Sequence, residues 1–461
     1  MQTILSKFSF HGGIHPNYHK EETSSSALRA IPAPAKLMIS LSQHLGAPAK
    51  PVVAVGDAVV GGQLIAEAAG PISANVHAPV AGKIAAFATV PTAIGREAQA
   101  IVLEPDGSDA YDSGLAPMPD WESRDKKELL ERIGACGICG MGGAGFPSKP
   151  KLSPPENKPI DTLIVNGAEC EPYLTCDHRM MAEHAAEIWE GCLISRKILG
   201  AYHVAVAIET NKPEAIAAME AAMKARDGGE GCELVKLPVR YPQGSEKQMI
   251  YAVTKRAVPA GGLPMDVGCV VDNAGTLYAI QQAVVHGRPL THRAITVSGD
   301  AIANPGNLVA PIGTTFADLV EACGGIKGNL AKIIAGGPMM GFAQPNLDTP
   351  MTKTSSGLLL FTPEMVQQFT SQPCLSCGRC LDACPMKLSP SEMSQAIEAD
   401  DIHGADELGV MNCFECGSCT FVCPASRPLV QHFRRAKAII GAERRALKAK
   451  EAAAKSNQAS K

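Results

Sequence analysis

Two short stretches carry eight of the sixteen cysteines in identical spacing: Cys374, Cys377, Cys380, Cys384 before Pro385, and Cys413, Cys416, Cys419, Cys423 before Pro424. Both read C-x2-C-x2-C-x3-C-P, a run whose thiolates hold [4Fe–4S] clusters. Close thiolates let one loop wrap three corners of an iron–sulfur cube. The fourth Cys of each run, carried along the emerging helix, reaches the other cube. The pattern therefore pairs Cys374, Cys377, Cys380 and Cys423 on one cluster, and Cys384, Cys413, Cys416 and Cys419 on the second. Two zinc knuckles are the alternative, but zinc sites usually couple two short Cys pairs across a longer loop. The chemistry implied is one-electron transfer.

A second constellation is rich in glycine. Gly140–Lys151, "GMGGAGFPSKPK", sets Gly140, Gly142, Gly143, Ala144 and Gly145 around one tight turn. Without Cβ obstruction, backbone N–H groups there can approach a phosphate. A plain tight turn would read the same way, and Pro147 and Ser148 before Lys149 exclude an ATP P-loop. Three further patches carry polar groups: "VNGAECEPY" (Asn166, Glu169, Glu171), "YPQGSEKQ" (Gly244, Glu246) and "VVDNAGTLYAI" (Asp272, Asn273, Thr276). The last ends a strand at a helix start, where the dipole and unpaired N–H groups suit a phosphate. Each alone also reads as a turn or a cap.

The elements that must position these residues fall into several domains, as a length of 461 residues predicts. Short strands with Gly turns fill Pro51–Phe87: Val52–Val55, Leu64–Glu67, Val76–Ala78 and Lys83–Phe87. The two halves, "VGDAVVGGQLIAEA" and "ANVHAPVAGKI", resemble a biotinyl/lipoyl-type barrel-sandwich domain. Carriers of that family need a Lys at the hairpin tip; here the tip is Gly70-Pro71-Ile72-Ser73, which implies a structural version of the fold. A Pro/Gly/Asp/Ser-rich linker (Pro105–Ser123) precedes alternating elements: helix Lys126–Ile133, strand Leu163–Val165, a long helix Met180–Leu199, strand Val204–Ala207, helix Pro213–Ala225 and strand Leu234–Leu237. That alternation predicts a doubly wound α/β core. A hairpin (Ala294–Gly299, Gly306–Val309), a helix (Phe316–Cys323) and a returning strand (Lys332–Ile334) give the order of a β-grasp unit. Helices then surround the Cys runs, with Pro390–Ala399 bridging them. A helix over Leu429–Ala454 carries Arg434, Arg435, Lys437, Arg444, Arg445, Lys448 and Lys450, and its end should fray.

The fold class expected is thus multidomain α/β and α+β. It comprises a barrel-sandwich domain (1–122), a Rossmann-like α/β core (123–290), a β-grasp domain of SLBB type (291–346), a helical two-cluster domain (347–445) and a basic, disordered tail (446–461). The net charge of −4 gives no reason to invoke nucleic acid or anionic lipid. Cysteine usage points to the reducing cytoplasm. Met1–Phe10 lacks the features of a signal peptide, and no apolar stretch approaches the ~20 residues that span a bilayer. Cys136 and Cys139 form a C-x-x-C pair without a second pair to complete a site, and read as small buried thiols. Cys170, Cys176, Cys192, Cys232, Cys269 and Cys323 read as packing residues; His11, His15 and His19 lack further ligands for a metal.

Taken in order, the glycine loop and its three companion patches resemble the flavin- and NADH-binding subunit of respiratory complex I, whose segments read like G-R-G-G-A-G-F-P-T-G-L-K, N-A-D-E-x-E-P and V-N-N-V-E-T-L-A. The resemblance implies that Gly140, Gly142, Gly143 and Gly145, with Lys151, Asn166, Gly244, Asn273 and Thr276, hold noncovalent FMN. It implies that Phe146 stacks on the nicotinamide nucleotide and that Glu169, Glu171 and Glu246 contact the dinucleotide, NAD(H). Met141, Ala168, Ser245 and Asp272 stand where that family has Arg, Asp, Glu and Asn. Together with "HGGIHPNYHKEET" (His11–Thr23), the whole layout resembles the RnfC family, one component of the Rnf-type ion-translocating electron transport complex. That resemblance implies a peripheral position on the cytoplasmic face of the bacterial inner membrane, held there by partner subunits, an iron–sulfur subunit above all, and an indirect exchange of electrons with ferredoxin or flavodoxin. It implies hydride exchange with NAD(H) through FMN, then single electrons through the two clusters, with no catalytic protein acid or base. A soluble cobalamin-reductase-like enzyme and an electron-relay adaptor with a dead nucleotide site are the alternatives.

Overall fold

The computed structural model describes residues 8–366 and 369–459, with side chains as far as 451. Most of Met1–Phe10 and the end of the expected tail lie outside the described residues. Among the described residues the first strand is a two-residue segment, β1 (Arg29–Ala30).

Seven short strands follow: β2 (Leu37–Ser40), β3 (Lys50–Pro51), β4 (Ala58–Val59), β5 (Leu64–Glu67), β6 (Val76–His77), β7 (Gly82–Pro91) and β8 (Glu97–Pro105). They form two antiparallel sheets, ordered β2-β8-β7-β4 and β3-β5-β6. Alternate residues of the strands, Leu37, Ile39, Ile101 and Leu103 among them, fill the space between. The strand expected at Val52–Val55 is displaced: the paired residues are Lys50–Pro51, and the chain turns away at Gly56, φ +99°. The lysine-free tip is folded down. Ala47 N donates to the Ile72 carbonyl (3.0 Å) and Ser73 Oγ to the Ala47 carbonyl (2.8 Å).

The central unit is built from α1 (Lys126–Ala135), α2 (Ser148–Lys151), β9 (Thr162–Gly167), α3 (Cys176–Glu183), α4 (Ala185–Leu199), β10 (His203–Glu209), α5 (Pro213–Ala225), β11 (Cys232–Leu237), α6 (Glu246–Thr254), β12 (Cys269–Asn273) and α7 (Ala274–His286). Its four strands are parallel, in the order β11-β10-β9-β12. The inner strands β9 and β10 are buried on both faces, as a covered parallel sheet requires. Leu163, Val165, Val204 and Val206 pack under α4 and α7, while Ile164, Ala205, Val235 and Val271 pack under α6. The long helix expected over Met180–Leu199 is two helices. His184 leaves helical geometry (φ −127°, ψ 34°), and its ring lies 4.9 Å from that of Tyr278.

The next domain pairs β13 (His292–Ser298) with β14 (Gly306–Pro311) as the expected hairpin, then places α8 (Phe316–Ala322), β15 (Lys332–Ala335), β16 (Phe342–Gln344) and β17 (Gly357–Phe361). β17 runs parallel to β13, which gives the β-grasp topology, and β1 adds to the far edge beside β14. The last domain is helical: α9 (Arg379–Ala383), α10 (Pro390–Glu398), α11 (Ile402–Glu407), α12 (Ser418–Phe421) and α13 (Leu429–Ala459), around Met393, Ile397, Val430 and Phe433. The stretch from 446 expected as disordered tail instead continues α13 to Ala459, because its Ala, Leu, Lys and Glu residues favour helix. Among the described residues no helix is long and apolar enough to cross a membrane.

α4 and α7 pack backbone to backbone at Gly191, where a Cβ would fall inside contact distance of the Leu277 carbonyl. Gly191→Ala should force the two helices apart and cost about 1–3 kcal/mol. A lowered thermal midpoint would bear this out; an unchanged one would mean the helices separate freely.

Candidate functional site

The strand order places β12 beside β9, on the side away from β10, so the sheet reverses direction of growth there. Crevices outside the carboxyl ends of strands at such a point are where α/β sheets take ligands. Asn273 ends β12 directly opposite Asn166 of β9. Two of the polar patches read from the sequence thus start from this one edge.

The glycine loop sits over it as an arch. Gly140 N donates to the Phe146 carbonyl (2.8 Å), and Cys139 bridges Pro147, closing the loop at its base. Met141 N donates to Thr276 Oγ1 (2.8 Å), which ties the arch to the first turn of α7. Asn273 caps that helix by accepting from Gly275 N (2.9 Å), and its Nδ2 donates to Asp177 Oδ2 (2.6 Å). Gly142 has φ +72°, and a Cβ there would lie 2.9 Å from Asn273 Nδ2. Gly142, Gly143 and Ala144 are exposed, and their N–H groups have no acceptor among the described residues. Phe146 is half-buried at the arm of the arch. That arm is held by another domain: Leu45 N donates to the Gly145 carbonyl (3.1 Å), and a Cβ on Gly145 would meet Thr354 Cγ2 at 2.5 Å. No local motif announces that wall.

Below the arch Lys151 lies 3.0 Å from Asp272 and 3.9 Å from Glu246, and donates to the Val271 carbonyl. Burial works against its ammonium, but the two carboxylates outweigh burial and hold its pKa above the usual lysine value. Asn166 Nδ2 donates to the Gly244 carbonyl (2.8 Å). Gln243 is fully buried, yet neither end of its side-chain amide has a partner among the described residues. An arch of unpaired N–H groups tied to a helix N-terminus, with a cation on the neighbouring strand end, fits a phosphorylated flavin.

Glu169 and Glu171 are engaged elsewhere. The Glu169 carboxylate accepts from Asp177 N (2.7 Å) and His178 N (3.1 Å), capping α3. The Glu171 carboxylate accepts from Met339 N (3.0 Å) and Met340 N (2.9 Å), tying the β-grasp loop to the core. Desolvation pushes the Glu171 carboxyl up to about 7 against the pull of those two N–H groups.

Cys384, Cys413, Cys416 and Cys419 wall one cavity, closed by Leu388, Met393, Val430 and Phe433. Burial pushes the Cys413 thiol up to about 11 and raises those of Cys416 and Cys419, so bare thiolates would be unstable there without a cation or cluster. Cys374 and Cys380 lie near enough for one charge to act on the other, whereas Cys377 is exposed. Cys423 is partly exposed and follows α12. The root of α13 grips the ligand loop: Lys437 donates to the Cys413 carbonyl (2.6 Å), and Lys437 and Arg434 both pair with Glu415 (2.7 and 2.8 Å). Cys136, Cys139, Cys170, Cys176, Cys192, Cys269 and Cys323 are buried, consistent with packing, while Cys232 is partly exposed.

Family models match as an RnfC barrel sandwich hybrid domain (8–108), a Nuo51 FMN-binding domain (133–282), an SLBB domain (294–343) and a 4Fe-4S dicluster domain (367–424). The chain is 46% identical to the C component of the proton-translocating ferredoxin:NAD(+) oxidoreductase complex of Clostridium ljungdahlii, across 92% of this chain and 93% of that one. It is 42% identical to the C component of the ion-translocating oxidoreductase complex of Rhodobacter capsulatus, covering 94% and 83%. It is 40% identical to the C component of the Na(+)-translocating ferredoxin:NAD(+) oxidoreductase complex of Acetobacterium woodii, covering 95% and 98%. Among solved structures, an NAD+-reducing [NiFe]-hydrogenase in the air-oxidized state shares the fold, with TM-score 0.50 and 20% identity over 68% of this chain and 62% of that one.

Lys151→Gln strands the Asp272 carboxylate, 1% exposed, and should destabilise by roughly 3 kcal/mol, with most of the loss recovered in Lys151→Gln/Asp272→Asn. Denaturant midpoints of the single and double variants test this. Glu171 binds its proton more tightly folded than unfolded, so its contribution to stability is full below 4.5 and is lost as pH rises to about 7. Glu171→Gln should flatten that segment of the stability–pH curve, and an unchanged slope would remove Glu171 as its source.

Proposed function

The chain belongs to the RnfC family, the C component of ion-translocating ferredoxin:NAD(+) oxidoreductase complexes, and from that premise we propose that it is the site where such a complex meets NAD(H). Its cofactors are FMN and [4Fe–4S] clusters. Bound FMN supplies the exchange between a two-electron hydride and single electrons, and the clusters supply the one-electron steps. The residues do the holding. Gly142, Gly143 and Ala144 offer N–H groups to the flavin phosphate, and the α7 N-terminus, capped by Asn273 and tied by Thr276, adds its dipole. Lys151 supplies positive charge, Asn166 and Gly244 fix the opposite wall, and Phe146 offers a ring for the nicotinamide nucleotide. Glu246 borders the dinucleotide side. Glu169 and Glu171, already engaged by backbone N–H groups, hold the frame.

Cys384, Cys413, Cys416 and Cys419 hold one cluster, and Cys374, Cys377, Cys380 and Cys423 the other. Electrons leave toward, or arrive from, an iron–sulfur partner, with ferredoxin or flavodoxin further along. The chain sits peripherally on the cytoplasmic side of the membrane through its partners. The observation that carries this reading is a single chain holding both an arch of unpaired N–H groups over a helix N-terminus and a cavity walled by four thiols.

An anaerobic titration of the purified chain with NADH, after iron and flavin quantification, tests it. The expected result is about eight irons per chain and noncovalent FMN that bleaches near one equivalent of NADH. Intact clusters without flavin, or flavin indifferent to NADH, would leave an electron relay and remove the nucleotide site.

A further inference from the structure

The N-terminal "HGGIHP" segment is wedged between the nucleotide-binding core and one set of cysteines. Gly12 has φ +72°, and a Cβ on it would lie 2.7 Å from both the carbonyl carbon and the oxygen of Cys384, and 2.9 Å from Pro385 N. Gly13 has φ +80°, and its Cβ would meet the Tyr241 carbonyl at 2.7 Å. Gly13 N donates to the Ala383 carbonyl (2.9 Å), and Ile14 exchanges two backbone hydrogen bonds with Tyr241 (2.8 and 3.0 Å). Only glycine combines this backbone geometry with so close an approach.

Tyr241 completes the bridge. Its side chain is 1% exposed, and its Oη donates to the Cys416 carbonyl (2.6 Å). Gln248, on α6, donates from Nε2 to the Pro385 carbonyl (3.2 Å). Ile14, Cys170, Tyr241, Ala383 and Cys416 pack as one buried apolar seam. Cys170 Sγ at its inner end accepts from Gly244 N (3.3 Å), beside the proposed flavin wall. The other run has Cys377 exposed to solvent.

We propose that Gly12, Gly13 and Tyr241 are positioning residues that seat the Cys384/Cys413/Cys416/Cys419 cluster against the nucleotide-binding core, making it the inner cluster, with the Cys374/Cys377/Cys380/Cys423 cluster outermost. This rests on the reading that the two Cys runs hold clusters. A cluster held there would supply one-electron chemistry beside the residues that would hold the flavin. The Tyr241 hydroxyl points the positive end of its dipole at the backbone carbonyl of Cys416, beside the site the cluster would fill, where such a fixed dipole bears on the cluster's charge. Removing that donor disfavours the reduced, more negative cluster.

The test is a mediated dithionite titration of the full chain with both clusters, read by EPR, which needs neither NADH nor flavin. Tyr241→Phe keeps the ring and removes the donor. The expected result is a lowered midpoint for one cluster, an unmoved midpoint for the other and unchanged iron. Adding Cys377→Ser should remove the unmoved signal and leave the displaced one. Gly12→Ala should lose about four of the eight irons while the flavin stays. The proposal is overturned if Tyr241→Phe moves both midpoints or neither, or if Cys377→Ser removes the displaced signal. Failure of the NADH titration with this pattern intact would sink the nucleotide reading alone.

Discussion

The site depends on one topological fact: β12 pairs with β9 on the side away from β10. Four strands running in one direction present their carboxyl ends together, and the reversal of order keeps the crossovers from covering the gap between β9 and β12. Asn166 and Asn273 meet in that gap. Around it stand the arch tied to Thr276 and the cation at Lys151. If β12 joined the β11 edge instead, the glycine loop would have no helix N-terminus to face.

The chain is most legible as a sequence where chemistry is local. Cysteines spaced two and three apart declare a cluster loop without any knowledge of the fold, and the cavity walled by Cys384, Cys413, Cys416 and Cys419 joins residues already paired by that logic. The helix over Pro213–Ala225 is legible for the same reason, since Pro at its first position and a run of Ala are local signals. The helix break at His184 is not, because nothing in the local pattern announces it and the ring's partner, Tyr278, is distant in sequence.

Long-range contacts defeat sequence reading in a more instructive way at Glu169 and Glu171. Carboxylates in a polar loop that follows strand β9 invite a ligand role. Here their oxygens are taken by N–H groups of α3 and of the β-grasp loop, the second across 168 residues of chain. The barrel-sandwich wall on the glycine arch is equally hidden. Leu45 contributes only a backbone N–H to Gly145, a contact that any residue type except proline could make and that no composition records.

The basic residues of α13 have a mechanical meaning. A helix of 31 residues rising ~1.5 Å per residue is a stiff rod, and its root is bolted to the Cys413–Glu415 loop through Lys437 and Arg434. Arg434 also lies 4.5 Å over the Phe342 ring of the β-grasp sheet. One residue near the foot of the rod thus joins the Cys413–Glu415 loop to the β-grasp sheet, so the direction in which the helix projects is fixed by both domains at once.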